Sequence, residues 1–191
     1  SKIEKPAAVT AFDEILRVSD GIMVARGDLG VELPVQAVPP IQKQLVRKCR
    51  AAAKPVIVAT QMLESMIESP MPTRAEVSDV ANSIYEGTDA IMLSAESAAG
   101  LFPIEAVTTM NNVAIEVERD PTYTAILEAS RSVQGKSVAD SIVAAAREIA
   151  ETTDVKAIAC FTSSGTTASL TARERPRVPI IALTANISTA R

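Results

Sequence analysis

The sequence contains no histidine, and this absence removes several kinds of catalysis at once. No Ser-His-Asp or Cys-His relay and no His-ligated zinc site can be built without an imidazole. Any chemistry must therefore use carboxylates, Lys, Arg, hydroxyls, backbone amides or a hard metal ion. Cysteine is scarce too, since the sequence has only Cys49 and Cys160, without metal-type spacing. We expect both to be small buried residues in a reducing compartment.

Aromatic residues, basic clusters and long apolar runs are also scarce. Aromatics make up 3% of the sequence, and the net charge is −4 without a Lys/Arg cluster. Nucleic-acid binding needs stacking platforms and basic patches, so we expect no nucleic-acid partner. No run approaches the roughly 18 apolar residues of a membrane span, and no basic-then-apolar leader opens the sequence. We therefore expect no membrane partner and no export.

Three short apolar runs recur at nearly equal spacing, in residues 21–25, 55–59 and 90–93, with 34 or 35 residues from one run to the next. Strands buried on both faces read as continuous apolar runs, and parallel neighbours need a helical crossover. Residues 1–4 read as the end of a preceding strand. The period predicts successive βα units of a barrel, in which the chemistry lies at the carboxyl ends of the strands.

Helical periodicity and capping signals fill the segments between these runs. A capping box at Thr73 and Glu76 starts one helix, and Pro103 suits the first turn of another. The first region is predicted to contain helices over residues 7–17, 41–53, 73–87 and 103–118, with a loop over 31–40.

A second region begins near Asp120. An amphipathic helix over 137–152 carries one apolar face formed by Val138, Ile142, Ala145, Ala146 and Ile149. Strands over 155–161 and 178–184, a helix between them and a further helical turn at the end complete this region. We therefore predict one domain in residues 1–119 and a partial α/β domain in 120–191. Eight strands close a barrel, so this chain is expected to be part of a larger protein.

Polar residues follow every predicted strand of the first region. Taken singly, each has a structural explanation: a surface salt bridge, an Asx-capped turn, or a hydroxyl at a strand end. Their coincidence at successive strand ends favours a metal-assisted site for an anionic, oxygen-rich substrate. Glu64 and Glu96 are weaker candidates. In chain order, the candidates are Lys2 and Glu4, then Arg26, Gly27 and Asp28, then Thr60, and then Ser94.

A second candidate site is the hydroxyl-rich loop of the second region. It lies between a predicted strand and a helix start, where backbone amides suit a phosphate. An ordinary connection with a Ser or Thr N-cap explains the same pattern, and both interpretations stay open. The loop consists of Thr162, Ser163, Ser164, Gly165, Thr166 and Thr167.

Taken together, these residues resemble the pyruvate kinase family, in order and over essentially the whole chain. The resemblance implies a (β/α)₈ barrel from the end of strand five through helix eight, followed by part of an α/β C-terminal domain. It also implies transfer of the phosphoryl group of phosphoenolpyruvate to ADP in glycolysis. The matching segments are residues 1–4, 21–30, 54–66, 72–76, 78–82 and 91–94, with the later Ser164-Gly165 loop and the strand at 179–182.

The resemblance also implies a role for each candidate at the barrel mouth. Lys2 would stabilise the phosphoryl group in flight, while Glu4 and Asp28 would hold Mg²⁺ or Mn²⁺. The amides of Gly27 and Asp28 would receive the substrate carboxylate, and Thr60 would contact it and join a proton relay. Ser94 would lie near that relay, and the hydroxyl-rich loop would take a phosphorylated effector.

Further expectations concern the whole enzyme. The resemblance implies a cytoplasmic, allosteric homotetramer that needs K⁺, whose ligands do not lie in this chain. The ADP site is not in this chain either, so the chain alone is expected to be inactive. One departure is Ala95-Glu96-Ser97, where the family often has Gly-Glu-Thr. The alternatives are another metal-dependent barrel lyase acting on pyruvate or its enolate, and a truncated binding module.

Overall fold

The computed structural model describes residues 1–129 and 137–190. The described chain forms two compact units, one within each of these ranges. Within them, no helix combines the length and the apolar character that crossing a membrane requires.

The first unit is built on a parallel sheet whose strands are neighbours in chain order. The register places Met23 opposite Ile57, and Ile57 opposite Ala90. Parallel strands in chain order, joined by helical crossovers, form the wall of a TIM barrel. The predicted α/β architecture is confirmed, and every strand lies within its predicted run. The strands are Lys2–Ile3 (β1), Ile22–Ala25 (β2), Val56–Ala59 (β3) and Ala90–Met92 (β4).

Helices of this unit alternate with the strands. The helices are Pro6–Thr10 (α1), Phe12–Val18 (α2), Arg26–Glu32 (α3), Val38–Ala51 (α4), Arg74–Tyr85 (α5), Ala95–Ala98 (α6), Pro103–Arg119 (α7) and Pro121–Ala129 (α8), with 3₁₀ turns at Val35–Ala37 and Glu64–Ile67.

Two of the predicted boundaries in this region are wrong. The predicted loop over 31–40 is shorter, because α3 starts directly after β2 and α4 already begins at Val38. Pro39 and Pro40 lie in the first turn of α4, where a missing backbone N–H costs no helical hydrogen bond. The helix predicted over 7–17 is divided at Ala11, whose ψ of 18° is not helical.

Apolar side chains from strands and helices meet in one core. Ile3, Val24 and Val58 are fully buried on three neighbouring strands, and Phe12 and Leu45 cover them from α2 and α4. Complete burial of such a side chain contributes about 1.5–3 kcal/mol. This packing fixes the strands against one another and so fixes the edge at which their carboxyl ends meet.

The predicted capping box at the start of α5 is confirmed and also binds a neighbouring turn. Glu76 accepts hydrogen bonds from the Thr73 amide at 2.8 Å and from the Ser65 amide at 2.7 Å. Desolvation pushes the pKa of the Glu76 carboxyl upward, but the bonds from Ser65 and Thr73 outweigh it and hold that pKa below its usual value. Glu76 therefore ties the 3₁₀ turn after β3 to α5.

Helix α8 packs against α5 and α7. Asp120, between α7 and α8, is extended with ψ 122°, as a following proline favours. Its carboxylate accepts a hydrogen bond from the Tyr85 hydroxyl, which raises the pKa of Tyr85 and lowers that of Asp120.

The predicted domain boundary between residues 119 and 120 stays a prediction.

The second unit holds a two-stranded parallel sheet, in which Ile158 pairs with Ile180. Ser137 and Asp140 form a capping box at its first helix. Both strands are shorter than predicted but lie within the predicted ranges. The elements are Val138–Thr152 (α9), Ile158–Phe161 (β5), Thr166–Arg173 (α10), Ile180–Leu183 (β6) and Ile187–Ala190 (α11).

Helix α9 buries a different face from its apolar stripe. Val138 and Ile142 on the stripe are 77% and 60% exposed, whereas Val143 and Arg147 are buried. The packing partner of α9 in this unit is α10. There the Arg173 guanidinium contacts the Asp140 carboxylate at 2.7 Å. The buried side of α9 is therefore fixed in part by charge pairing, which an apolar stripe does not reveal.

The prediction for the two cysteines is confirmed as regards burial. Cys49 in α4 and Cys160 in β5 are free and buried. Desolvation raises the pKa of the Cys49 thiol to about 12, so this thiol stays protonated at neutral pH.

Candidate active site

An ion triad lies at the carboxyl ends of β1 and β2. The Lys2 ammonium is 2.6 Å from a Glu4 carboxylate oxygen and 2.8 Å from an Asp28 carboxylate oxygen. Lys2 and Glu4 are two residues apart in an extended segment, so both side chains point to the same side. Asp28 reaches them from the first turn of α3. The structure therefore brings together three of the predicted site residues from two neighbouring strand ends.

The charges in this triad hold one another in their ionised forms. The hydrogen bonds that Lys2 donates to Asp28 and then to Glu4 raise the pKa of its ammonium well above its usual value. The bond from Lys2 lowers the pKa of the Asp28 carboxyl. The side chains of Lys2 and Asp28 are both about half exposed. A charged, accessible cation between two carboxylates can meet an anionic substrate and a hard metal ion at one place.

Thr60 joins the end of β3 to the start of α3. Its hydroxyl oxygen accepts a hydrogen bond from the Gly27 amide at 2.8 Å, and its hydroxyl donates to the Ala59 carbonyl at 2.6 Å. A Cβ added at Gly27 would lie 3.1 Å from the Thr60 hydroxyl oxygen. Gly27 therefore leaves room for this close approach, which a larger residue would crowd. The amide expected to receive a carboxylate here faces the Thr60 hydroxyl.

The role of the Arg26 side chain was not evident from the sequence. Its side chain is buried, and its guanidinium donates to the carbonyl oxygens of Thr60 and Gln61, both at 2.9 Å. It also contacts the Asp79 carboxylate at 2.7 Å. A signal existed in the sequence, since a charged residue directly after a buried strand either reaches solvent or binds polar groups inside. The sequence alone did not tell these two cases apart.

Ser94 follows β4 and is held by a buried carboxylate. Glu96, which is 2% exposed, accepts hydrogen bonds from the Ser94 amide at 2.7 Å and from the Leu63 amide at 3.1 Å. These bonds link the loops after β3 and β4. Glu96, predicted as a weak candidate for chemistry, orients backbone instead, and Glu64 lies in a 3₁₀ turn. The role predicted for Ser94 stays a prediction.

The donor atoms available to a metal ion are few. Within residues 1–129 and 137–190, no group of three or more His, Cys, Asp or Glu side chains converges on one point. Glu4 and Asp28 nevertheless offer two carboxylates that share Lys2 as partner. Mg²⁺ is commonly held by one or two carboxylates, with substrate oxygens and water completing its shell. These two residues fit such an ion.

The hydroxyl-rich loop belongs to the second unit. Gly165 has φ +84° and caps α10 without a side-chain bond, so the Ser or Thr N-cap interpretation is wrong. The Gly165 amide donates to the Thr162 hydroxyl oxygen at 2.9 Å, and the hydroxyls of Ser164 and Thr166 share a bond of 2.9 Å. The Ser163 carbonyl accepts from Thr189, so internal bonds shape this loop. Phosphate binding by it stays a prediction.

Comparisons with known proteins agree with the geometry. The family models described as the pyruvate kinase barrel domain and the pyruvate kinase alpha/beta domain match residues 1–107 and 140–191. A pyruvate kinase of Methylorubrum extorquens is 58% identical over 191 residues, which is 100% of this chain and 40% of that relative. A pyruvate kinase of Clostridium acetobutylicum is 50% identical over the same length and share.

A solved pyruvate kinase structure is also similar to this chain. The crystal structure of a pyruvate kinase from Cryptosporidium parvum superposes with a TM-score of 0.89 at 45% identity. The match covers 100% of this chain and 39% of that one. The chain thus spans about two fifths of the length of the relatives it matches. Part of a barrel wall, a C-terminal α/β unit and matches over the whole chain lead to one conclusion: this chain belongs to the pyruvate kinase family.

Proposed function

We propose that the polar residues at the strand ends of the first unit form the phosphoenolpyruvate-facing part of a pyruvate kinase active site. They are Lys2, Glu4, Gly27, Asp28, Thr60 and Ser94. In that enzyme the phosphoryl group of phosphoenolpyruvate passes to ADP, and the remaining enolate is protonated to pyruvate. The observation that carries the proposal is the Lys2 ammonium between the Glu4 and Asp28 carboxylates at neighbouring strand ends. Phosphoryl transfer depends on positioning and charge neutralisation rather than on covalent help, and it needs no histidine.

Lys2 supplies the positive charge for the transferred group. Its raised pKa keeps the ammonium charged throughout the neutral range, so it can donate to phosphoryl oxygens there. Such a donor acts most strongly where charge develops in the transition state. Lys2 then exchanges its carboxylate partners for the phosphoryl oxygens of the substrate.

Gly27, Asp28 and Thr60 receive the substrate carboxylate. A carboxylate that accepts from the Gly27 amide takes the place of the Thr60 hydroxyl oxygen, which accepts from that amide at 2.8 Å. The Thr60 hydroxyl oxygen is then free to accept, and its proton, now donated to the Ala59 carbonyl, turns to the substrate or to a proton relay. Ser94, held by Glu96 at the next strand end, is proposed to lie near that relay.

Glu4 and Asp28 are the residues that would hold Mg²⁺ or Mn²⁺. A divalent ion held there would supply positive charge to the enolate and to the phosphoryl group. Lys2 lowers the pKa of Asp28 and so keeps this carboxylate ionised, and the Lys2 ammonium would have to turn toward the phosphoryl oxygens for a divalent ion to enter. K⁺ is proposed for the complete enzyme, and no residue of this chain is assigned to it.

The experiment for this proposal is a coupled assay of a complete pyruvate kinase that carries these 191 residues. We expect pyruvate formation from phosphoenolpyruvate only when both ADP and a divalent metal are present. A metal-dependent lyase would release pyruvate without ADP, and a binding module would release none, so either result would exclude the proposal. Asp28→Asn should raise the metal concentration needed for half-maximal rate, whereas exposed Asp13→Asn is the matched control.

The isolated 191-residue chain is proposed to be inactive, because no residue in it is assigned to ADP. Turnover by the isolated 191-residue chain in the same assay would overturn this. Assembly as a homotetramer and a cytoplasmic location are further proposals for the complete enzyme.

The hydroxyl-rich loop is proposed as an effector site for a phosphorylated sugar. Gly165 allows the left-handed turn from which α10 begins. Gly165→Asp adds a negative charge there and should abolish activation while leaving the basal rate intact. Activation that is equal in parent and variant, or absent in the parent, would end this proposal.

A further inference from the structure

The guanidinium of Arg26 is surrounded by backbone oxygens and polar side chains instead of solvent. Its Nη2 donates to the carbonyl oxygens of Thr60 and Gln61 at 2.9 Å, and its Nε donates to the Thr60 oxygen at 3.2 Å. Its Nη1 contacts the Asp79 carboxylate, and the side chain is 9% exposed. A buried cation with donors in three directions is fixed in position, since an arginine fork has little rotational freedom left once both nitrogens are bonded.

The backbone that Arg26 binds has an unfavourable conformation. Thr60 and Gln61 have φ values of +71° and +53°. The left-handed region is disfavoured for residues other than glycine, and for a β-branched residue it is a genuine outlier. Such a conformation persists only where surrounding contacts determine it, and these contacts cluster at functional sites. The guanidinium, which bonds both carbonyls of this turn, is such a contact.

The same turn sets where the Thr60 hydroxyl points. Arg26 precedes Gly27, whose amide donates to the Thr60 hydroxyl oxygen. The end of β2 therefore holds Thr60 at two points, through the Arg26 side chain on its carbonyl and the Gly27 amide on its hydroxyl oxygen. When a substrate carboxylate takes the Gly27 amide, the Arg26 contact is the one that remains. We propose that Arg26 is a positioning residue that holds the Thr60 hydroxyl in place for the reaction. The inference rests on the role proposed for Thr60 above.

The test is a double-mutant cycle of Arg26→Lys and Thr60→Ala in a complete pyruvate kinase that carries these residues. Lysine keeps the charge beside Asp79 but cannot donate to two carbonyls as a planar fork. We expect Arg26→Lys to lower kcat about tenfold in the parent, since sub-ångström misplacement of a reacting group is costly. In the Thr60→Ala background, Arg26→Lys should lower kcat by less than about threefold, because the effects of two residues that act as one unit are not additive.

Two further readouts separate positioning from general damage. Exchange of the methyl protons of pyruvate with D₂O, followed by NMR, should fall in parallel with kcat, because Thr60 is proposed to serve proton transfer. KM for ADP should stay at the parental value, since ADP does not contact this turn in the proposal. Thr60→Ser, which keeps the hydroxyl, should retain the sensitivity to Arg26→Lys.

Each outcome of the double-mutant cycle either supports or overturns the role proposed for Arg26. Equal fold losses in both backgrounds, or no loss in the parent, would overturn the role of Arg26. If Thr60→Ala itself keeps the parental kcat, the role proposed for Thr60 is wrong and the inference falls with it. If Arg26→Lys does not fold, Asp79→Asn replaces it in the cycle. A kcat loss that disappears in the Thr60→Ala background then supports the inference, and an equal loss in both backgrounds overturns it.

Discussion

A methyl group added at Gly27 would press on the hydroxyl of Thr60, and this gives a sharp test of the geometry. The added Cβ would lie 3.1 Å from the Thr60 hydroxyl oxygen and 3.6 Å from its Cβ. Ordinary contacts between such atoms are about 3.5 Å or longer. Either Thr60 or the start of α3 must therefore move by a few tenths of an ångström.

The expected consequence of Gly27→Ala differs between stability and turnover. Alanine in a helix is favoured over glycine by about 0.5–1 kcal/mol. We expect this gain and the crowding at Thr60 to offset each other, so that the melting temperature barely changes. A displacement of this size near the reacting atoms should lower kcat about tenfold, since about 1 Å costs about a hundredfold.

Gly30→Ala is the matched control, because Gly30 lies in the same helix. A Cβ there meets Val35 at 3.9 Å, which is an ordinary contact. We expect Gly30→Ala to keep the parental kcat and to raise the melting temperature by about 1–4 °C. The coupled assay and a thermal unfolding scan of the complete enzyme measure both. A parental kcat in Gly27→Ala, or an equal loss in Gly30→Ala, would refute the proposed contact with Thr60.

Three further predictions follow from other residues. Glu96→Gln removes one charge-assisted bond to a buried backbone amide, so it should cost about 1.5–3 kcal/mol in urea unfolding; an unchanged midpoint contradicts this. Bonds from Ser137 and then Arg173 lower the pKa of Asp140, so its stabilisation is present above about pH 3.9 and lost as pH falls through the lower folded pKa. Asp140→Asn should therefore lower the melting temperature at pH 7, and this difference should shrink below about pH 4. Because the pKa of Lys2 is raised, the pH–rate profile should show no loss of rate between about pH 7 and 9 from this residue, whereas a lysine that titrates there would show one.

The strands and the chemical character of the strand ends were predictable from the sequence. Apolar runs at a constant period define βα units, and the polar residues after them fall where a barrel places its chemistry. The contact of Lys2 with Glu4 was also foreseeable, since residues two apart on a strand share a face. The capping box at Thr73 has a sequence signature of its own and was predicted correctly.

Other features have no local signal. Nothing in the Thr60-Gln61 dipeptide indicates a left-handed turn, because that conformation depends on the distant Arg26 side chain. The start of α3 immediately after β2 was missed, since two glycines in seven residues argue against a helix. The buried face of α9 was missed because Arg147 lies on it, and charged residues are rarely buried without partners. Long-range polar contacts decide these features, and a single sequence does not display them.

The most direct test of the account is the turnover of Lys2→Met in a complete pyruvate kinase that carries these residues. Lys2 is the cation that contacts both site carboxylates, and the exposed Lys5, three residues away, provides the matched Lys5→Met control. We expect Lys2→Met to lower kcat by about 10²–10³, as loss of a transition-state donor does, at an unchanged melting temperature. A Lys2→Met enzyme that turns over at the rate of the Lys5→Met control would contradict it.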